Sequence, residues 1–317
     1  MAKIVTVDTF ARAETDFYFR AGARMAGGIS RWHHHREVMD VHSQSVIRAN
    51  RDTLYSTIVF DLDAGDVTVE LPDTAGRFMS LIVIDEDHYV SPASYAPASV
   101  TLSKDTIGTR YAMVGVRTLV DPTEAGDIDV VVALQDSIRV DQAASGSLEL
   151  PEWDKASQDA IRADLVALAA HVPDSRGAFG GRDSVDPVRH LIGTASGWGG
   201  NRESDATYVT VTPAHNDGVT PYVVTVRDVP VDGFWSIAVY NSDGYFEAND
   251  LDAYGPNSFT ATKNADGSVT VHFGGDPAAS NYVPITPGWN YWVRLYRPRP
   301  EILDGSWVFP APRRVNS

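Results

Sequence analysis

The chain has 317 residues, about twice the usual size of one domain, so its length predicts two domains, each with its own core. It contains no cysteine, which excludes disulfides, thiolate nucleophiles and cysteine-ligated metal sites. Acidic residues number 42 against 26 basic ones, and the formal net charge of −16 argues against nucleic acid or an anionic membrane as a partner.

The amino-terminal residues lack the continuous apolar core of a signal peptide, and no stretch of the chain approaches about 18 uncharged apolar residues. We therefore expect a cytoplasmic protein. A small-molecule ligand is the expected partner, and homo-oligomerisation is left open.

The first part of the chain predicts one helix followed by strands. Apolar residues recur at spacings of three and four from Thr9 to Arg24, which predicts an amphipathic helix with Asp8 as its cap. From Leu54 to Phe60 the period changes to two, which predicts a strand whose even-numbered side chains face the core. Further strands are predicted at 67–71, 78–85 and 110–120.

Two segments in the middle of the chain predict helices. Residues 127–140 contain three adjacent valines, as a strand would, but their apolar spacing and a capping Asp127 favour a helix. Residues 151–173 predict a second helix, which Asp154 caps and Pro173 ends.

The last third returns to the strand period. Strands are predicted near 207–212, 221–228, 234–241, 258–263, 268–273 and 290–297. The predicted division is therefore an N-terminal β domain at 1–150, a helical and Gly-rich connection at 151–195 and a C-terminal β domain at 196–317. The predicted fold class is mainly β with a few helices, in two consecutive β-sandwich or jelly-roll-like domains.

Four segments carry a resemblance to a known family. The first contains Arg48, Asn50 and Asp52, followed at once by Thr53-Leu54-Tyr55-Ser56, and the others begin at Gly197, Val229 and Asn264. In these segments the chain resembles a bacterial family in which domain of unknown function 1254 precedes domain of unknown function 1214. The resemblance implies two β-sandwich or jelly-roll-like domains with added helices, and it supplies no established reaction.

The first of these segments concentrates hydrogen-bonding groups at the start of a strand. The side chains of Arg48, Asn50, Asp52, Thr53 and Tyr55 predict a polar pocket wall, in which Arg48 grips a carboxylate or phosphate and Asp52 orients it. The alternative is structural: Arg48 and Asp52 form an internal ion pair and Asn50 secures a turn.

A second set of candidates lies in the C-terminal domain. Trp235 and Asn241 fall on one predicted strand face, and Arg294 stands between Trp292 and Tyr296 on another. Such an arrangement suits a planar or anionic ligand. It equally suits a buried arginine that closes a core.

Histidines offer metal or acid–base chemistry. His33 and His35 would point the same way on an extended chain, and a metal shell could be completed after folding. The candidates to complete it are Glu37, His42 and His88. His34 and His35 could instead act in acid–base catalysis, with Asp52 and Tyr55 as further catalytic candidates. A hydrogen-bonding role for these histidines is the alternative, and cofactor and metal are left open.

Two functions remain open at this point. One is a small-molecule-binding protein or enzyme, with a hydrolase included, whose pocket is built around Arg48–Ser56. The other is a non-catalytic carbohydrate-binding or structural module. Residues 193–197 do not form the Gly-x-Ser-x-Gly elbow, which argues against an ordinary serine hydrolase. Convergent charges in a cavity would favour the first function, and an open aromatic platform the second.

Overall fold

A computed structural model describes residues 2–44 and 46–315, and it confirms the predicted fold class, mainly β with a few helices. The helices are α1 Phe10–Met25, α2 Lys104–Ile107, α3 Asp127–Asp136, α4 Lys155–Ala169, α5 Pro187–Ser196 and α6 Pro300–Leu303. The strands are β1 His33–His34, β2 Thr53–Asp61, β3 Val67–Leu71, β4 Met79–Asp85, β5 Ser94–Tyr95, β6 Ala98–Leu102, β7 Tyr111–Leu119, β8 Arg139–Gln142, β9 Ala206–Val211, β10 Tyr222–Val226, β11 Trp235–Tyr240, β12 Val269–Phe273, β13 Tyr282–Val283, β14 Asn290–Tyr296 and β15 Arg313–Arg314.

These elements form two compact units that are not sequential along the chain. The first unit comprises Met1–Arg36, Leu54–Val120 and Gly126–Asp205, and the second comprises Glu37–Thr53, Asp121–Ala125 and Ala206–Ser317. Residues 151–195, predicted as a connection, therefore lie inside the first unit. The start of the signature segment lies in the second unit, because Glu37–Thr53 belongs there.

The first unit contains two sheets with a hydrophobic core built from their strands. One sheet has the order β1-β2-β7-β4-β5 and the other β6-β3-β8, and the pairings β1–β2, β4–β7, β4–β5, β3–β6 and β3–β8 are antiparallel. The even-numbered side chains of β2 are buried, as predicted, and two of them, Ile58 and Phe60, join Val69 and Val114 in this core. A separate cluster joins α1 to α4 and α5.

The three predicted helices are present, with two changes of cap, and α2, α5 and α6 are added to them. Asp127 is the first residue of α3 and Gly126 is its N-cap, so the predicted Asp127 cap is wrong; the helix predicted at 127–140 ends at Asp136, because residues 139–142 form β8. Thr9 is the N-cap residue of α1, and Asp8 lies in the 3-10 turn that precedes it, so the predicted Asp8 cap is wrong. Asp154 caps α4 as predicted. Helix α5 was not predicted; Asp186 caps it, and a proline follows at its first position, where the missing N–H costs nothing.

The second unit also contains two sheets, with orders β13-β12-β10-β15 and β11-β14-β9. On β14 the odd-numbered side chains, among them Tyr291 and Val293, enter the main core of this unit. Because side chains alternate along a strand, Trp292 and Arg294 lie on the opposite face of the sheet. Part of Glu37–Thr53 packs on this opposite face, with Ala49 in a cluster that includes Trp292.

One strand prediction in the second unit is wrong. Residues 258–260 form a turn and 261–263 are not a strand, because the Asn257 side-chain oxygen accepts the backbone N–H groups of Phe259 and Thr260. An asparagine that binds the backbone two and three residues ahead competes with a strand ladder.

Across the part of the chain that the structure describes, no helix combines the length and apolar character needed to cross a membrane.

Candidate functional site

The signature segment begins as a tight turn in the second unit. Arg48 has a φ of 51°, and its backbone N–H donates to Gly244 at 2.7 Å. Asn50 donates to the Thr53 hydroxyl at 3.1 Å, and its side-chain oxygen accepts the Asp52 N–H at 2.5 Å. Asn50 therefore secures the turn, as the structural alternative predicted, and Thr53 is buried beside it.

The Arg48 guanidinium is half-buried and lies over two aromatic rings. It donates to the Asn290 side-chain oxygen at 2.6 Å, and it lies 5.0 Å from the Trp292 ring centroid and 5.7 Å from that of Tyr240. Among the described residues it forms no ion pair, so the predicted internal pair with Asp52 is wrong. Burial lowers the pKa of Arg48, although its guanidinium remains charged.

Arg294 is the buried arginine of this region, with 3% of its surface exposed. Its Nη2 donates to the carbonyl of Arg48 at 2.7 Å, to that of Ala49 at 3.0 Å and to the Tyr240 hydroxyl at 2.7 Å. Burial disfavours its charge, but nearby Tyr240 and Asp52 outweigh burial, and the pKa of Arg294 is raised. Arg294 thus fixes the backbone from which Arg48 projects.

The Asp52 carboxylate is the acidic group whose charge acts on Arg294, although the two side chains form no ion pair among the described residues. It accepts a hydrogen bond from the Asn257 side-chain amide at 3.1 Å. Burial raises the pKa of Asp52, and the opposing influence of the Arg294 charge is the largest of those that lower it. Asp52 lies in the second unit, whereas its predicted catalytic companions His34, His35 and Tyr55 lie in the first.

Trp235 and Asn241, which were predicted to bind a ligand, make contacts that stabilise the fold. Trp235 is buried in the main core of the second unit, with its ring 6.3 Å from that of Phe309. The Asn241 side-chain oxygen accepts the backbone N–H groups of Asp243 and Tyr245, which closes a turn. Trp235 lies on the core face of its sheet, opposite Arg294, so these candidates do not converge on one ligand.

The second unit carries a groove of about 470 Å³ that has charged walls. Its lining comprises Val38, Met39, Asp40, Val41, His42, Arg51, Ala248, Asn249, Asp250, Asp252 and Tyr254. Arg51 is the signature-segment residue in this lining. Its guanidinium lies 3.5 Å from the Asp252 carboxylate and 4.9 Å from the Tyr254 ring centroid, and it also donates to the Met39 carbonyl.

A second carboxylate in the groove is stabilised in its ionised form. The His42 backbone N–H and the Ser43 hydroxyl both donate to Asp40, at 2.9 and 3.0 Å, and they lower its pKa below the ordinary value. The groove therefore presents fixed negative charge beside one guanidinium. Sequence reasoning passed over Arg51, although it stands between two residues that were singled out.

Tyr55, in the first unit, is engaged by an arginine. Arg117 donates to the Tyr55 hydroxyl at 2.9 Å, and its guanidinium lies 5.0 Å from the ring centroid. The backbone carbonyl of Tyr55 accepts the N–H of His35 at 2.8 Å. These contacts orient Tyr55 and bring it next to the histidine segment.

His34 shares a hydrogen bond with a buried serine. Its Nδ1 lies 2.7 Å from the Ser56 hydroxyl, and burial, together with the Arg36 charge, lowers the pKa of His34 to about 4. Ser56 is 0% exposed. The imidazole is therefore neutral at neutral pH, but its partner hydroxyl cannot reach a substrate, so this pair has the character of a structural contact.

The remaining histidines do not assemble a metal shell. His33 and His35 do point the same way, as predicted, with ring centroids 4.7 Å apart. His88 is completely buried, its Nε2 accepts the Gly199 N–H at 2.9 Å, and its Nδ1 lies 2.8 Å from the Thr194 hydroxyl. No group of three or more metal-binding side chains suited to a metal ion occurs within residues 2–44 and 46–315.

Two family descriptions match the chain. The family described as protein of unknown function (DUF1254) matches residues 29–101, and the one described as protein of unknown function (DUF1214) matches residues 205–300. The chain belongs to the family that joins these two domains in this order. No curated protein matches the chain.

Two crystal structures share the fold. The VPA0106 protein from Vibrio parahaemolyticus has a TM-score of 0.71 at 17% identity, over 98% of this chain and 100% of that one. An uncharacterised protein from Burkholderia cenocepacia has a TM-score of 0.53 at 13% identity, over 97% of this chain and 86% of that one. At these identities the likeness concerns the fold alone.

The groove takes its walls from both family regions. Residues 38–42 and Arg51 come from the DUF1254 region, and residues 248–250, Asp252 and Tyr254 come from the DUF1214 region. Both sets lie in the second unit, because Glu37–Thr53 packs there. The groove thus depends on the joining of the DUF1254 and DUF1214 sequences in one chain.

Proposed function

We propose that this DUF1254–DUF1214 protein binds a small polar molecule in the groove of its second unit. The observation that carries the proposal is the 470 Å³ groove with Arg51 of the signature segment in its wall. Ligand sites for small molecules commonly measure about 300 to 1,000 Å³. The signature segment therefore contributes to the ligand site through Arg51.

The charges of the groove define the kind of ligand. Asp40, Asp250 and Asp252 face a single guanidinium, that of Arg51, which is already close to Asp252. Carboxylates accept hydrogen bonds and attract cations, so hydroxyl or ammonium groups on the ligand suit these walls. An apolar or strongly anionic molecule would leave the acidic side chains desolvated and without partners.

Binding is better supported than hydrolysis. Among the described lining residues, no serine or threonine offers a nucleophile, and the acid–base groups are His42 and the three aspartates. Carbohydrate recognition on an open aromatic platform has less support, because Tyr254 is the one aromatic ring of this lining and the Arg51 guanidinium lies over it. A sugar could still bind through its hydroxyls.

The test fills the groove without removing a contact. Ala248 lines the groove and is exposed, so Ala248→Trp should block it, whereas Ala265→Trp adds the same bulk to an exposed turn of the second unit. Thermal-shift and calorimetric screening of amines, polyols, sugars and amino acids would find ligands of the unmodified protein. We expect Ala248→Trp to weaken their binding at least tenfold, about 1.4 kcal/mol, and Ala265→Trp to leave it unchanged.

Equal binding by the unmodified protein and Ala248→Trp would place the ligand elsewhere. Absence of any saturable ligand in the screen would equally count against the proposal.

A further inference from the structure

Three side chains on one side of the second unit present N–H donors that find no acceptor. We call Arg48, Trp292 and Arg294 the donor cluster. Arg294 Nη1 and Trp292 Nε1 are buried and, among the described residues, have no hydrogen-bond partner. The Arg48 side chain makes one hydrogen bond within the described chain, to Asn290, although a guanidinium carries five N–H groups.

The members of the donor cluster are neighbours. The Arg48 and Arg294 guanidiniums both lie over the Trp292 ring, at 5.0 and 5.6 Å from its centroid, and both lie over Tyr240, at 5.7 and 6.0 Å. Arg294 also donates to the backbone carbonyl of Arg48. Two like charges are thus held together by the fold.

The surroundings do not balance this charge. Asp52 is the carboxylate whose charge acts on Arg294, and no carboxylate of the described chain pairs with Arg48. A buried donor without an acceptor costs roughly 1 to 3 kcal/mol. The fold therefore holds an excess positive charge and orphan donors in a protein whose net charge is −16.

We propose that the donor cluster binds a small oxyanion, the carboxylate or phosphate group of a ligand or a free anion. The half-buried Arg48 fork matches two oxygens of such a group, and the buried Arg294 guanidinium beside it adds positive charge. Binding supplies the missing counter-charge. This site is separate from the proposed groove, because none of its three residues lines the groove.

The test titrates the full chain with inorganic phosphate, sulfate and acetate, with chloride added to hold ionic strength constant. The variants are Arg48→Gln, a matched control, Arg227→Gln, which removes an exposed guanidinium of the second unit near Asp228 and Asp266, and Arg51→Gln, which tests the groove. We expect saturable thermal stabilisation of the unmodified protein and of Arg227→Gln by at least one oxyanion. Arg48→Gln should weaken that binding at least tenfold. A preference for acetate over phosphate would identify a carboxylate ligand, and the reverse a phosphate.

Arg48→Lys shows whether a folding defect explains a loss of binding. Lysine keeps the positive charge of residue 48 but lacks the two parallel N–H donors of the guanidinium. This variant should retain weaker anion binding than the unmodified protein with unchanged circular dichroism. Anion responses that are identical in the unmodified protein, Arg48→Gln and Arg48→Lys would overturn the proposal, as would no saturable response to any of the three anions. Loss of binding in Arg51→Gln alone would assign the anions to the groove instead.

Discussion

Three arginines that are buried or partly buried have different partners in the two units. In the first unit each of two arginines grips a carboxylate through two hydrogen bonds: Arg162 binds Glu14 at 2.8 and 2.6 Å, and Arg110 binds Asp61 at 3.0 and 2.9 Å. In the second unit Arg294 binds carbonyl and hydroxyl oxygens instead.

Arginine thus serves two purposes in this protein. A bidentate pair satisfies both charges, so Arg162 and Arg110 have little left to offer a ligand. In the second unit the guanidinium of Arg294 holds the backbone at Arg48, while Arg48 keeps most of its donors. Structural arginines and candidate binding arginines are therefore distinguished by their acceptors, which the sequence does not reveal.

The largest expected effect tests the structural role of Arg294. Arg294→Met leaves the Asp52 carboxylate uncompensated and two backbone carbonyls without their donor, which should lower the free energy of unfolding by about 3 to 5 kcal/mol. Denaturant unfolding of the full chain measures it. The control Arg299→Met removes an exposed ion pair with Asp232, which solvent screens, and should cost far less. Equal small losses in both variants would contradict the role of Arg294.

The next prediction concerns the paired arginines of the first unit. Glu14 is 1% exposed, so Arg162→Met should strand a buried carboxylate and cost about 3 kcal/mol. Adding Glu14→Gln should recover much of that loss, since the amide carries no charge. Unfolding of the two single variants and the double variant gives the coupling energy. Additive losses would show that Glu14 and Arg162 are not a coupled pair.

Asp16 of the first unit is a buried carboxylate whose hydrogen-bonding capacity is not fully used. It is completely buried, accepts the Trp153 indole N–H at 2.7 Å, and has one oxygen without a partner among the described residues. Burial, with the Glu86 charge adding to it, raises the pKa of Asp16 to about 6. The folded state therefore favours the protonated acid, and stability decreases as the pH rises from the unfolded pKa near 4 to about 6.

Asp16→Asn should accordingly stabilise the protein above pH 6 by up to roughly 3 kcal/mol and have little effect near pH 4, because each pKa unit is worth about 1.4 kcal/mol. Thermal unfolding across this pH range is the measurement, with the exposed Asp8→Asn as control. A destabilising effect of Asp16→Asn at neutral pH would mean that the ionised carboxylate is needed.

Periodicity predicted the elements well where one face of a strand or helix is buried. Strand β2, helix α4 and the preference for a helix within 127–140 follow from side-chain spacing, and α4 also from its Asp154 cap. At 258–263 the same reasoning failed, because the hydrogen bonds of Asn257 decide the local structure.

The candidate site was predictable in part. The signature segment directed attention to the second unit's turn and to Arg48, yet the groove uses Arg51 and residues 248–254, about two hundred positions away. Spacing carries no information on such distant contacts. The assignment of Glu37–Thr53 to the second unit also depends on tertiary packing, on the face of the sheet that carries Trp292, and not on any local pattern.

The smallest expected effect separates the two arginines at the signature segment. If Asp52 compensates Arg294 and not Arg48, the losses caused by Arg48→Met and Asp52→Asn should add in the double variant to within about 0.5 kcal/mol. Arg294→Met and Asp52→Asn, measured the same way by denaturant unfolding, should couple by more than about 1 kcal/mol. A large loss in Arg48→Met that Asp52→Asn relieves would instead identify Arg48 and Asp52 as a charge pair. The donor cluster would then contain its own counter-ion, and the comparison between the paired arginines of the first unit and the unpaired Arg48 would fail.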